Sequence, residues 1–261
     1  MTDAGARLTW LGHSTVLLEV AGVRLLTDPV LRRGVGPLRR RGRVPDRSQW
    51  DRVDAVLLSH LHHDHAHVRS LRMLEPGVPV LTAARNASWV RRRGLNGVSL
   101  DTDGWRPIGS TGEVRVKLVA AVHHSRPMPH RPNVAHGHLV HAPGFRAWIA
   151  GDTSLYAGMS EIPEDLGGDV DLAVLPIWGW GPRLSDGHLD PDGAAEACRR
   201  VRARTAVPVH WGTLHPPGLR RIPRGWLDRP AAAFTAALSR SAPDARALIL
   251  RPGGSVVVGT V

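Results

Sequence analysis

Apolar and polar residues alternate in short runs near the N-terminus, as strands with one buried face require. Residues 8–11, 15–20 and 23–27 read as three strands, with Ala21-Gly22 as a two-residue hairpin turn. Behind a polar lead-in at 51–54, residues 55–58 form the continuous apolar run of a buried strand. Helical and extended periods then alternate: a short helix at 68–74, a strand at 80–82, a helix at 85–93 and a turn at Asn96-Gly97. A second strand-rich block covers 113–122, 137–141 and 146–150, the last two joined at Pro143-Gly144. Residues 171–175 form a further buried strand. Asp190 then caps a helix over 190–202, with Pro191 in its first turn. A strand at 206–209, a helix at 229–240 and strands at 247–250 and 255–258 complete the chain. Two strand-rich blocks, each with helices, imply two packed sheets with helices outside, an α/β protein of αββα four-layer type.

The 261 residues suffice for a sizeable core, and the Pro/Gly stretches at 34–45 and 216–225 are too short to separate self-sufficient units, so one domain spanning 1–261 is expected. No run approaches the ~18 apolar residues of a membrane span, and the N-terminus lacks the pattern of a secretion signal; the reading is a soluble, cytoplasmic protein. Cys198 is the only cysteine, which excludes an internal disulfide. The formal net charge of +11 invites a nucleic-acid reading, but Lys117 is the only lysine, and so strong an Arg bias is what a GC-rich coding sequence produces. Arg32-Arg33 and Arg39-Arg40-Arg41-Gly-Arg43 form the densest cluster, read first as a solvated loop, second as a clamp for an anionic substrate and last as a nucleic-acid contact. Whether the chain forms homo-oligomers stays open.

The chemistry concentrates in Leu58-Ser-His60-Leu-His62-His63-Asp64-His65, where ligand-type side chains crowd the end of a strand. In an extended segment His60 and His62 share a face and can aim at one ion, while Asp64 and His65 follow where the chain turns and can aim at a second. Imidazole and carboxylate donors suit zinc, with manganese or iron as alternatives.

This H-x-H-x-D-H run resembles the signature of the metallo-β-lactamase superfamily, and four further motifs follow that family's order: Thr27-Asp28-Pro29, Ala121-Val-His123-His124-Ser125, Ala150-Gly-Asp152-Thr153 and Val209-His210-Trp-Gly-Thr213. The resemblance spans roughly residues 7–258. Trp10-Leu-Gly-His-Ser-Thr15, the 26–29 turn, Leu189-Asp-Pro191 and the 210–213 ending look most like the N-acyl-phosphatidylethanolamine phospholipase D group, with the ascorbate-phosphate lactonase type next. The resemblance implies the αββα fold, with His60, His62 and His123 around one metal, Asp64, His65 and His210 around the other, and Asp152 bridging. His123 is chosen over its neighbour His124, which would border the pocket. Asp28 is placed behind the ligands, orienting an imidazole. His188 is carried over as a histidine that binds phosphate or protonates a leaving group. Trp178 and Trp180 form a pocket wall or pack against a helix, and His13 is a weaker candidate for supporting the metal loop.

Two cations so held would lower the pKa of a shared water toward ~7 and supply hydroxide at neutral pH. The expected activity is therefore metal-dependent hydrolysis of a small anionic ester, a phosphodiester first, with Asp64 taking part in proton transfer; lactone or amide hydrolysis is the alternative. From a different class, a catalytically silent metal-binding or regulatory module remains the competitor. Neither a Gly-rich phosphate loop nor a dinucleotide fingerprint is present, and no nucleic-acid track is visible.

Overall fold

The structure is a computed structural model, and it describes residues 5–123 and 133–259. Two seven-stranded sheets share one plan. In the first, Ser255–Gly259, Gly5–Gly12, Thr15–Val20 and Val23–Thr27 pair antiparallel, then Ala55–Leu57, Val80–Ala83 and Gly97–Leu100 continue parallel. In the second, Arg106–Ile108, Val114–Ala120, His136–Ala142 and Phe145–Ile149 are antiparallel, followed in parallel by Leu172–Pro176, Thr205–Val209 and Arg246–Ala247.

The alternation of side chains builds the layers. Leu18, Leu25, Leu57 and Leu81 face the second sheet and join Val116, Val140, Ala147 and Val174 in the central core. Their neighbours Leu17, Leu26, Val56 and Val80 point the other way, into a separate cluster with Trp89 and Val90 of the helix Ala84–Arg91. On the far side, the helices Pro191–Arg200 and Arg229–Ser241 contribute Ala194, Cys198, Phe234 and Leu238 to the buried cluster of the second sheet. Asp190 caps the first of these as expected, accepting from the Gly193 backbone N–H at 2.7 Å. No helix among the described residues is long and apolar enough to cross a membrane.

Most elements lie within a residue or two of the sequence-based expectation, and four do not. The first strand, expected from residue 8, begins at Gly5. Asn96-Gly97 is not the turn; the chain turns at residues 92–94, and Gly97 opens a strand. Glycine is needed there because a Cβ would collide with the Ala87 carbonyl of the adjacent helix. The strand expected at 247–250 is only Arg246–Ala247, and the helix expected at 68–74 stops at Leu71.

The stretch at 34–45 is more than a solvated loop. Gly34–Val35 and Leu38–Arg40 form a hairpin, and Leu38–Arg40 also pairs with Leu214–His215 to make a third, three-stranded sheet. Arg40 turns inward: its guanidinium donates to the carbonyls of Leu11 at 2.9 Å, Arg32 at 3.2 Å and Val30. Burial lowers its pKa to about 10. Arg40 thus ties the hairpin to the first sheet and is no substrate clamp, while the exposed Arg32, Arg33, Arg39 and Arg43 match the solvated reading.

Candidate metal centre

Segments leaving strands of both sheets meet at one edge. Asp28 follows Val23–Thr27, the 58–65 stretch follows Ala55–Leu57, Asp152 follows Phe145–Ile149, and His210 follows Thr205–Val209. Two backbone hydrogen bonds tie these segments together, from His136 N–H to the Ser59 carbonyl at 3.2 Å and from His210 N–H to the His13 carbonyl at 3.0 Å. His13, Asp28 and His210 have positive φ angles of 55°, 34° and 61°. Such backbone is costly for residues with a Cβ and persists where surrounding contacts over-determine it. Gly151 answers a similar demand with φ 63°: a Cβ there would lie 2.7 Å from Ser59 Cβ and 2.9 Å from the His136 carbonyl oxygen.

Ligand-type atoms converge in overlapping groups, each with its atoms within 4.8 Å of one another. His60, His62 and His123 form one. His13, Asp64, His65 and His210 form another. Asp152 groups with His60 and His65, and again with His123 and His188. Its Oδ2 lies 3.0 Å from His65 Nε2, 3.2 Å from His188 Nε2, 3.3 Å from His210 Nε2 and 3.8 Å from His60 Nε2. Asp64 Oδ2 lies 2.9 Å from His13 Nε2 and 3.4 Å from His210 Nε2.

The outward nitrogens of these rings are held by fixed partners. His65 Nδ1 meets Asp28 Oδ2 at 2.9 Å, His60 Nδ1 meets Ser59 Oγ at 2.9 Å, His210 Nδ1 meets the Trp178 carbonyl at 2.9 Å and His123 Nδ1 meets the Gly187 carbonyl at 2.8 Å. Asp28 also accepts from the Ser59 backbone N–H at 2.8 Å and the Ser59 hydroxyl at 2.7 Å. The inward atoms are left over: the Nε2 atoms of His60, His65 and His210 and Oδ1 of Asp152 are buried without a hydrogen-bond partner. His62 Nδ1 and His123 Nε2 face each other at 3.1 Å. Buried polar atoms normally find partners, so this many inward-facing donors fit a cation that takes their lone pairs.

Charge follows the same geometry. Burial lowers the His60 imidazole well below its ordinary range, aided by the neighbouring His65, and brings His62 to about 4 and His13 to about 3. Burial alone would also lower His65, but Asp152 and Asp28 outweigh it and hold that ring well above the ordinary range. Asp152 and Asp64 would be pushed up by burial; the imidazoles around them win and keep both carboxyls well below the usual carboxylate range. The site therefore presents two carboxylates beside the neutral imidazoles of His13, His60 and His62, while His65 holds a proton that a divalent ion would have to displace.

The family model described as "Beta-lactamase superfamily domain" matches residues 23–211. The chain belongs to the β-lactamase superfamily. Within that superfamily it is 31% identical to a "UPF0173 metal-dependent hydrolase" of Nitratidesulfovibrio vulgaris, a match covering 97% of this chain and 95% of that protein. It is 29% identical to "N-acyl-phosphatidylethanolamine-hydrolyzing phospholipase D 1" of Caenorhabditis elegans, over 81% of this chain and 65% of the nematode protein. A metallo hydrolase from Ignicoccus hospitalis shares the fold, with a TM-score of 0.72 at 22% identity and coverage of 97% and 98%. The αββα expectation thus holds as the metallo-β-lactamase fold, and the superfamily member carries a His/Asp cluster that could hold metal ions.

The structure brings His60, His62, Asp64, His65, His123, Asp152 and His210 together, with Asp28 directly behind His65. His188, named from the resemblance, sits against Asp152. His124 lies outside the described residues. The two tryptophans separate: Trp178 is half-buried, packs on the central core and donates its indole N–H to the Gly181 carbonyl at 2.9 Å, whereas Trp180 is 44% exposed and lines a cavity with His62 and Asp64. His13 is closer to the centre than its weak sequence signal indicated, with its ring against Asp64 and 4.1 Å from that of His210. The signal was present in Gly12-His-Ser14, but a lone histidine between two strands carries no spacing that marks a ligand.

Proposed function

We propose that this chain is a metal-dependent hydrolase acting on a small ester, a phosphodiester by first choice, through two divalent ions held at the strand ends. Zinc suits the imidazole and carboxylate donors best, and manganese or iron fits the same set. The observation that carries this reading is the ring of partnerless inward atoms on His60, His65, His210 and Asp152. His60, His62 and His123 would hold one ion, Asp64, His65 and His210 the other, and Asp152, adjacent to members of both sets, would serve both. Such a pair supplies an activated water at neutral pH and charge stabilisation for the oxygen that develops negative charge.

The protein's own groups do the rest. Asp28 fixes the tautomer and aim of His65; Ser59, Gly187 and the Trp178 carbonyl do the same for His60, His123 and His210. His188 reaches Asp152 with Nε2 and is held at Nδ1 by Ser185, and from the edge of the cluster it would serve as proton donor to a leaving oxygen. Asp64 is positioned to move a proton or to hold it briefly, with His13 fixing its carboxylate.

Asp28→Asn isolates the orienting role, because asparagine tolerates the positive φ at this position. The folded state should persist while metal affinity falls roughly 10- to 100-fold by competition titration; unchanged affinity would remove Asp28 from the account.

The primary test is elemental analysis of protein purified without chelator, followed by phosphodiester, phosphomonoester, lactone and β-lactam substrates on the same preparation. About two metal equivalents and phosphodiester turnover are expected for a two-ion site. Turnover of lactones alone would move the assignment to carbonyl esters, a reading favoured by the lack of Arg or Lys, among the described residues, in the lining of the cavity beside His62 and Asp64. Less than one equivalent of metal with no turnover would leave a silent binding module.

A further inference from the structure

Two openings flank the cluster. One, of about 490 Å³, takes in His188, Ser185 and Ser154 and is mixed in character. The other, of about 450 Å³, runs from His62 and Asp64 to Val35, Pro37, Leu38 and Trp180. Its size is that of a small-molecule site. Away from the ligand residues its lining is hydrocarbon and indole apart from the imidazole of His63 beside His62.

The wall is built rather than incidental. Val35 and Leu38 are paired across the hairpin and both buried, so their side chains are set by packing. The hairpin is pinned from two sides. Leu214–His215, four residues beyond His210, pairs with it, and Arg40 bonds it to the carbonyls of Leu11, Val30 and Arg32. The segments that carry Asp28 and His210 therefore also carry the wall. Of the arginines of this stretch, Arg40 is buried and Arg41 pairs with Asp228 at 2.7 Å, while Arg39 and Arg43 are exposed and neither lines this cavity. Opposite the hairpin, Trp180 leaves a large indole exposed at the rim, a surface that gains by covering an apolar partner.

We infer that the substrate carries an apolar group, aryl or branched alkyl, next to the bond that is cleaved, and that this group seats between Trp180 and the 35–38 hairpin. A substrate with a second phosphate or a sugar in that position would be left with unpaired polar groups against Val35 and Leu38, at a cost that selects against it. The inference rests on the hydrolase reading and names the substrate class for it, with Trp180 as a specificity-determining residue.

Calorimetric titration of the metal-loaded protein with benzylphosphonate and methylphosphonate tests the subsite without turnover. Burying a phenyl group predicts a roughly 10- to 100-fold preference for the benzyl compound. Trp180→Ala should shrink that preference at least about fivefold and Trp180→Phe should keep most of it, since Trp180 is exposed and its loss leaves the core intact. The ratio of kcat/KM for phenyl over methyl p-nitrophenyl phosphate should move in step. Equal affinities, or a benzyl preference indifferent to Trp180→Ala, would overturn the inference. If neither diester is turned over while the benzyl preference and its dependence on Trp180 hold, the hydrolase reading falls and the apolar subsite stands.

Discussion

Replacing Asp152 with alanine should drop the metal content from about two equivalents to one or fewer and cut kcat/KM on a phosphodiester by roughly 10³-fold. Among the described residues no other carboxylate has so many imidazoles around it: His60, His65, His188 and His210 all approach Oδ2 within 3.8 Å. Its side chain is 2% exposed, so water cannot take its place without rearrangement. Those imidazoles also hold its carboxyl well below the usual range against the opposing effect of burial, so it meets a cation already ionised. Asp152→Asn keeps the shape and loses the charge, and should fall between wild type and alanine in metal content. Elemental analysis alongside circular dichroism separates a lost ligand from a lost fold. A folded Asp152→Ala protein that retained both equivalents and its activity would show that this residue bridges nothing.

Much of this centre was legible before the structure because its members lie in runs. His60, His62, Asp64 and His65 come from one six-residue segment, and the period of a strand end is enough to give them two directions. The strands at 15–20 and 23–27 were equally plain, since strict alternation puts Leu18 and Leu25 on one face and Leu17 and Leu26 on the other. What escaped was decided by contacts between distant segments. Nothing local distinguishes Arg40 from Arg39 or Arg41, yet strand pairing turns Arg40 inward and leaves Arg39 exposed. Gly97 carries good turn chemistry beside Asn96, but the close approach of the helix at Ala87 claims it for a strand. Trp178 and Trp180, two residues apart and identical in local context, part because the carbonyl and ring of one are taken up by His210 and the core while the other faces the cavity. The weight of His13 was likewise invisible until the loop it sits on was seen against Asp64.

Removing the metal should destabilise the protein as well as silence it. Binding to the folded state alone stabilises by about 4 kcal/mol at a thousandfold excess over Kd, which for a chain of this length corresponds to a rise in Tm of roughly 8 to 16 °C. The pH dependence of that rise follows from the ligands. In the metal-free protein His65 is held above its ordinary pKa by Asp152 and Asp28, so its ion pairing contributes stability fully below the unfolded value and loses it as pH rises through the folded one. His60 runs the other way: kept neutral by burial, it costs stability as pH falls below its unfolded value, where the unfolded chain takes up a proton that the folded chain refuses. The two windows adjoin, His65 acting above its unfolded value and His60 below it. In the loaded protein a cation competes with protons at both rings, and its apparent affinity falls with every proton it must displace. The gap in Tm between loaded and chelated protein should therefore narrow steadily between about pH 7.5 and about pH 5.5, chiefly through descent of the loaded form. Differential scanning calorimetry at fixed free zinc reads both curves. Coincident curves across that range would mean that the inward nitrogens of His60, His65 and His210 face one another for some reason other than a metal.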